Sequence, residues 1–507
     1  MTTNRLEPAP SRVSTKPAYR WLPISLILGA AAFLFTYRLG QESLWTDELF
    51  SVQDAAGSPF AVYKENQLRP LYYLLLKGWM AFGSGDAWLR SLSVVFAVIS
   101  VFLIYRLGRR LAGESEGLIA ALLLATSPLF INHAQEVRMY VVSLCLGLAG
   151  TVCLTDALLT ERSQQPSQRA IAGWSLFRLL AIYTFPLNLT LLLPDVIAIW
   201  LRFRKERQIL TSFGKWLLLL FVLWSPSVLS VVQEAAANTT YAEKRLAYSK
   251  PPGLGNLVYP LKFWMVWPFV VQGSKVLHVL YQLFTLVVAG LVGAGLIRKH
   301  KSPTLLLTAG WFVIPLIPIV AFSLFSAQIW DSRYVLFVSP YLFILMAAGF
   351  TRLWRQWRSG AIVAIAIYSV AISGALADYY TVQNRADYRF NLETVEQYEQ
   401  PGDAIIWGYR WENALDYYYD GAADTYWRNV QDVDTADGIE QWVSQFPKGY
   451  KRWWVVINDP KSLSTEVENR LKAAYNIEQT FSYEQRSSVM LLAPLDKSSK
   501  ESPAKPN

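Results

Sequence analysis

Long apolar runs, most of them near the ~20 residues that a bilayer crossing requires, recur from about residue 21 to 377. From 378 to 507 the pattern changes to short mixed segments. Eleven of the runs read as spans, at about 21–37, 89–107, 116–132, 138–158, 170–186, 187–201, 214–232, 277–297, 303–326, 334–350 and 360–377. The pair at 170–186 and 187–201 is short, with Arg178 inside the first. Two apolar stretches fall outside the count. PLYYLLLKGWMAFG (70–83) is too short to span and carries Lys77, so it reads as an interfacial helix. LVYPLKFWMVWPFVV (257–271), broken by Pro260, Lys262 and Pro268, reads as re-entrant or interfacial. The expected architecture is a polytopic α-helical membrane protein of about 11 transmembrane helices with a small C-terminal α/β domain.

That terminal domain shows strand-like runs at DAIIWG (403–408) and RWWVVIND (452–459), with Pro401-Gly402-Asp403 turning into the first. Helical spacing marks 411–419, 435–446 and 462–475, and 477–494 has the pattern of a terminal hairpin. No glycine-rich phosphate loop opens any of these helices, so a nucleotide site is not indicated. The organisation expected is a polar tail (1–19), a membrane domain (20–377) whose first external loop is 38–88, the α/β domain (378–495) and a disordered tail (496–507).

Composition agrees: 53% of residues are hydrophobic and 17% charged. A net charge of +9 in a soluble protein would raise nucleic acid as a partner. Here the basic residues sit in short loops, at Arg106/Arg109/Arg110, Arg202/Arg204/Lys205/Arg207, Arg298/Lys299/Lys301 and Arg352/Arg355/Arg358. That is the positive-inside pattern, so no nucleic acid is needed to explain it, and anionic lipids are secondary partners. The first apolar run is long for a signal peptide and lacks a small-residue cleavage site. It reads as a retained anchor in the plasma (inner) membrane, N-terminus cytoplasmic. Eleven spans then place the C-terminal domain outside the cytoplasm. Cys145 and Cys153 lie eight residues apart on one helix, about 12 Å along its axis, and read as two separate buried thiols.

Three polar clusters then share the outer face. In LWTDE, Asp47 and Glu48 are neighbours, pointing about 100° apart on a helix, so two different roles fit better than a paired acid and base. Helix capping is the competing reading, because carboxylates favour a helix start. In AQEVRMY (134–140), Glu136 and Arg138 are followed by Tyr140. An interfacial ion pair with a belt tyrosine is the plain alternative there. The third cluster is Asp331, Arg333 and Tyr334 before the tenth span. His133 reads as a hydrogen-bonded loop residue, since catalytic metals want several ligands. A divalent metal is possible, but no ligand spacing indicates one.

The order LWTDE, RPLYYLLLKGW, LRSLS leading into LGRRLAG, SPLFINHAQEVRMY and SRYVLFVSP resembles the bacterial relatives of dolichyl-phosphate-mannose-protein mannosyltransferases, within the GT-C superfamily of integral membrane glycosyltransferases. The likeness is dense over 39–145, thinner in the middle, and returns at 332–348. Where that family often has His-Pro-Pro-Leu-Tyr, this chain has Leu68-Arg69-Pro70-Leu71-Tyr72, so the histidine's role is not carried over. The resemblance implies a GT-C fold and a polyprenyl-phosphate sugar donor. It implies transfer on the extracytoplasmic face to a lipid, glycan or protein acceptor, with Asp47 as the catalytic base. A hydroxyl acceptor must lose a proton, whereas a phosphate leaving group needs only positive charge. Arg138 and Arg333 suit that task, because guanidinium matches phosphate in bidentate geometry. Glu48 and Glu136 would orient the base, an arginine or a metal, with Tyr140 and Tyr334 in support. One base and no second carboxylate nucleophile imply inverting single displacement.

Two other classes remain open from the residues. A transporter or flippase for lipid-linked sugars would place its polar groups near the midplane on broken helices, often in two related halves. A non-catalytic protein would bind envelope glycans through the tryptophans and tyrosines of 407–427.

Overall fold

The computed structural model describes residues 21–161, 164–237, 275–296, 302–325, 329–382, 385, 387–430, 436–458, 463–483 and 487–495. The chain divides into two compact units. The first comprises Met1–Leu39 with Asp54–Val382, and the second Gly40–Gln53 with Gln383–Asn507. The expected 257–271 segment and both polar tails lie outside the described residues.

The first unit is helical: α1 (Leu22–Thr36), the end of α2 (Thr46–Ala55), α3 (Pro59–Glu65), α4 (Pro70–Met80), α5 (Asp86–Leu111), α6 (Glu114–Thr126), α7 (Pro128–Ala134), α8 (Tyr140–Leu158), α9 (Gln168–Thr184), α10 (Leu192–Phe203), α11 (Arg207–Ala237), α12 (Lys275–Leu296), α13 (Pro303–Val313), α14 (Leu316–Phe325), α15 (Ser339–Gln356) and α16 (Arg358–Thr381). Proline opens α3, α4, α7 and α13, where its missing N–H costs nothing and its fixed φ suits the first turn. In α5 an acid starts the helix and Arg109 and Arg110 finish it, which matches the helix dipole at both ends.

Among the described residues, seven helical segments are long and apolar enough to cross a membrane, and eight if α6 and α7 form one broken span. Those two meet at 64°, because Pro128 has no N–H to continue the hydrogen-bond ladder. Each of the eleven expected runs coincides with helix. Two of the expected runs fall short for local reasons: α1 holds 15 residues, and α9 holds 17 and contains Arg178. Helix α4 is 11 residues long, too short to span, as its sequence indicates.

Close packing relies on small residues. A Cβ on Gly117 would stand 2.6 Å from the Tyr105 carbonyl oxygen, and one on Gly108 would stand 2.9 Å from the Gly117 Cα. Helices α5 and α6 therefore meet backbone to backbone. Deeper in the unit, Arg178 of α9 and Asp195 of α10 form a fully buried pair, 2.7 and 3.1 Å apart through two guanidinium N–H groups. Arg178 also donates to the Gly147 carbonyl and the Thr151 hydroxyl of α8. The indoles of Trp174 and Trp311 donate to the two Asp195 oxygens. The Thr151 and Tyr341 hydroxyls lie 2.6 Å apart. One ion pair thus joins α8, α9, α10, α13 and α15, with its hydrogen bonds made inside the bundle. Cys145 and Cys153 are both free thiols, the second only partly buried.

The second unit is α/β: α17 (Tyr388–Tyr398), β1 (Asp403–Trp407), α18 (Asn413–Tyr418), β2 (Asp424–Trp427), α19 (Ala436–Ser444), β3 (Arg452–Asn458), α20 (Leu463–Ala474), β4 (Tyr475–Tyr483) and β5 (Ser487–Pro494). The sheet order is β2-β1-β3-β5-β4. Strands β2, β1 and β3 run parallel, while β5 and β4 form the expected hairpin antiparallel to β3. All five residues of β1 are buried, as befits the middle of a parallel sheet covered on both faces. Gly402, at φ +90°, makes the turn before it in a conformation that glycine adopts freely. Asp403 and Arg452 are register partners at the starts of β1 and β3. They join through two hydrogen bonds of 2.9 and 2.6 Å.

Candidate functional site

The AQEVRMY segment leaves α7 and enters α8 through a turn pinned on several sides. The Gln135 amide donates to the carbonyls of Leu34, Phe35 and Tyr37 and accepts from the Tyr379 hydroxyl. It thereby satisfies carbonyls that the end of α1 leaves without intrahelical donors. The Ser93 hydroxyl donates to the Glu136 carbonyl at 2.6 Å. The Glu136 carboxylate is buried, accepting from the Asn132 amide at 2.9 Å and lying 2.6 Å from His133 Nδ1. His133 thus sits on α7 rather than in a loop, because Pro128 starts a new helical turn ahead of it.

This anchoring sets Arg138 over the Tyr140 ring, 5.7 Å from its centroid. Asp331, Arg333 and Tyr334 stand in the turn that precedes Leu336–Val338 and α15. Asp331 accepts from the Arg333 backbone N–H and lies 3.7 Å from its guanidinium. Arg333 in turn covers the Tyr334 ring at 5.3 Å. The two tyrosine rings are 6.1 Å apart, and each meets Phe185 at 5.8 Å. Both arginines are close enough to bear on the Tyr140 hydroxyl. Residues nearly two hundred positions apart therefore meet: Arg138, Tyr140, Arg333 and Tyr334, with Glu136 behind Arg138.

Three residues not singled out from the sequence join them. Arg69 lies over the Tyr73 ring at 5.5 Å, and Asp54 is near Arg69, Tyr73 and Arg138. Burial pushes the Asp54 carboxyl above its ordinary value of 3.8 against the pull of Arg69 and Arg138. Burial likewise pushes up the Tyr73 hydroxyl, which these arginines oppose and Asp54 reinforces. Arg69 had one sequence signal: it stands at the departure from His-Pro-Pro-Leu-Tyr. Asp54 had none.

Asp47 and Glu48 belong to the second unit, on the first turn of α2. The capping role falls to Glu48. Its buried carboxylate accepts from the Trp45 N–H at 3.1 Å, the reach-back half of a capping box. The same oxygen pairs with Arg385 at 3.2 Å. Asp47, one position earlier, is half-buried. The segment is fastened by Tyr388, whose N–H donates to the Ser43 hydroxyl, and by the Tyr418 hydroxyl, which accepts from Leu44 N–H. The ~100° divergence of neighbouring helix positions thus gives the two acids different surroundings. Among the described residues no cluster of three or more His, Cys, Asp and Glu could hold a metal ion.

Residues 69–230 match the model of the dolichyl-phosphate-mannose-protein mannosyltransferase family. No curated protein sequence matches the chain. The structure of ArnT from Cupriavidus metallidurans in the apo state is similar at TM-score 0.59 and 15% identity, covering 94% of this chain and 98% of that one. The same protein bound to undecaprenyl phosphate gives 0.56 and 14%, with the same coverage. The arabinofuranosyltransferase AftD from Mycobacteria gives 0.51 and 14%, over 95% of this chain and 42% of that one. Along most of its length the chain thus shares its fold with ArnT and with AftD, and over residues 69–230 its sequence is similar to the dolichyl-phosphate-mannose-protein mannosyltransferase family.

Proposed function

We propose that this protein moves a sugar from a polyprenyl-phosphate donor to a lipid, glycan or protein acceptor on the extracytoplasmic face. The observation that carries the reading is the meeting of Arg138 and Arg333 around the Tyr140–Tyr334 pair. Two guanidinium groups beside the buried Tyr140 and the half-buried Tyr334 suit a phosphate whose charge grows as the sugar departs. Arg69 is a third cation for the same phosphate. Glu136, fixed by Asn132 and His133, keeps the Arg138 turn in place. ArnT, with which the chain shares its fold, has been seen with undecaprenyl phosphate, which supports a donor of that class.

Asp47 acts as general base in this reading. It takes the acceptor hydroxyl's proton as the oxygen attacks the anomeric carbon, and the sugar–phosphate bond breaks with inversion. Glu48 sets the helix turn that presents it. Eleven spans put the N-terminus in the cytoplasm and the α/β domain outside, in the inner membrane. A C-terminal alkaline phosphatase fusion is then active, and a green fluorescent protein fusion dark.

The decisive experiment is turnover by the purified protein with a polyprenyl-phosphate sugar. Asp47→Asn should lower the rate by about 10²–10⁴-fold with donor binding retained. A folded Asp47→Asn protein at near-normal rate removes Asp47 as base. No transfer from any polyprenyl-phosphate sugar by the native protein, with donor binding intact, would turn the reading toward transport.

A further inference from the structure

A second cluster of arginines surrounds a cavity that the transfer reaction does not use. It lies where the last turns of α5 pass the end of α8, on the face bearing the loop arginines. The cavity measures about 270 Å³, and Arg106, Arg109, Arg110, Val152, Thr155 and Asp156 line it. Asp156 lies 2.9 Å from Arg106 and 3.9 Å from Arg110. Arg109 is steadied by Glu114 at 3.8 Å and by the Tyr105 ring. Three guanidinium groups against one lining carboxylate leave the walls net positive. Arg106 and Arg110 are each about half exposed, at 50% and 49%.

Two further observations identify what such a cavity takes. The Thr155 side chain is 1% exposed, and its hydroxyl has no hydrogen-bond partner. A buried hydroxyl in a wall beside guanidinium groups is a donor placed for an anionic oxygen. Second, Val95, Ile99, Phe102, Arg106 and Arg110 follow one another at steps of four, three, four and four residues, which is one face of α5. Val95 and Ile99 are 44% and 43% exposed. An apolar stripe therefore runs along the membrane helix and ends at two arginines.

We infer that this cavity binds the phosphate of an anionic phospholipid headgroup. The acyl chains lie along the Val95–Ile99–Phe102 stripe, Arg106 and Arg110 hold the phosphate, and Thr155 donates to one of its oxygens. A phosphate alone would use the arginines and the hydroxyl but not the stripe. Basic pockets between membrane helices are suited to anionic headgroups, and guanidinium grips phosphate oxygens along its planar edge.

The test uses the full-length protein in detergent, with lipid retention followed by native mass spectrometry. Phosphatidylglycerol should be retained at least about tenfold more than phosphatidylcholine. Thr155→Val keeps shape and removes only the hydroxyl, so it should lower phosphatidylglycerol retention roughly tenfold. Arg106→Gln with Arg110→Gln should abolish it. Arg207→Gln, at the start of α11 and outside the lining, should leave it unchanged. Equal retention of the two lipids, or a Thr155→Val protein that binds like the native one, overturns the site. Equal loss in Arg207→Gln shows diffuse attraction and also overturns it. Displacement of phosphatidylglycerol by millimolar inorganic phosphate would make this a site for free phosphate and overturn the lipid assignment.

Discussion

Two arginine centres within the helical unit are built on opposite plans. At Arg178 the guanidinium edge is committed: two N–H groups to Asp195, one to a carbonyl and one to a hydroxyl, with two indoles completing the carboxylate. Arg138 and Arg333 instead stand beside tyrosine rings, their guanidinium carbons 5.7 and 5.3 Å from the ring centroids of Tyr140 and Tyr334, a contact that leaves cation and ring attracted to each other without an ion pair as deep as that of Arg178. The first plan makes a joint among five helices, and the second is the one proposed above to hold a phosphate. Burial alone would have pointed to the wrong arginine, since Arg178 is the more buried.

The largest effect should come from the joint. Asp195→Ala strands Arg178 in the bundle and should cost about 3–5 kcal/mol, read as a large fall in melting temperature in detergent. Replacing both members by apolar residues, Arg178→Met with Asp195→Leu, should recover most of that loss. An Asp195→Ala protein that melts normally but has lost turnover would reverse the assignments. Next come Arg138→Lys and Arg333→Lys. Each should lower turnover about 10–100-fold with little change in melting, because a point charge lacks the planar edge. Normal turnover in both variants would leave them as interfacial anchors.

Glu48 offers a finer discrimination. Glu48→Ala should cost roughly 1–2 kcal/mol of stability through the lost cap and the lost pairing with Arg385, which keeps Glu42 as a partner. Glu48→Gln keeps the reach-back bond and should melt closer to the native protein, with a smaller fall in turnover than Asp47→Asn. The smallest effect is a pH dependence in the α/β unit. Burial would raise the Asp403 carboxyl, but hydrogen bonds from Arg452, the Gln400 N–H and the Trp454 indole outweigh it and hold the group below its ordinary 3.8. Its stabilising contribution is therefore full above that value and is lost as pH falls through the lower folded one. Unfolding of the native protein in acid should steepen below about pH 4, and Asp403→Asn should flatten that dependence.

The legible parts of the chain were those written locally. Helix α4, the glycine turn before β1 and the β4–β5 hairpin all follow from short patterns. Strand β2 was missed because DTYW is four residues long and mostly exposed on the sheet edge. Helix α17 was missed although Asp387 caps it, accepting from the Phe390 N–H, since its polar face dilutes the apolar one. Arg178 was visible only as a flaw in a short span, because its partner lies seventeen residues away on another helix. The convergence of Arg138 and Arg333 was foreshadowed by their expected shared membrane face and by the phosphate-holding role that the resemblance implied for both. Asp54 carried no mark at all, as its environment is made entirely by distant residues.

The Arg178–Asp195 pair also bears on how the chain is made. An arginine near the centre of a helix opposes its release from the translocon by about 2.5–3.5 kcal/mol, and an aspartate behaves likewise. In the eleven-span arrangement neither α9 nor α10 is a good insertion substrate alone. Together, joined by the six-residue turn Pro186–Leu191, they cancel each other's charge. In that arrangement the two helices are expected to leave the translocon as one hairpin, as a pair of segments rather than one at a time.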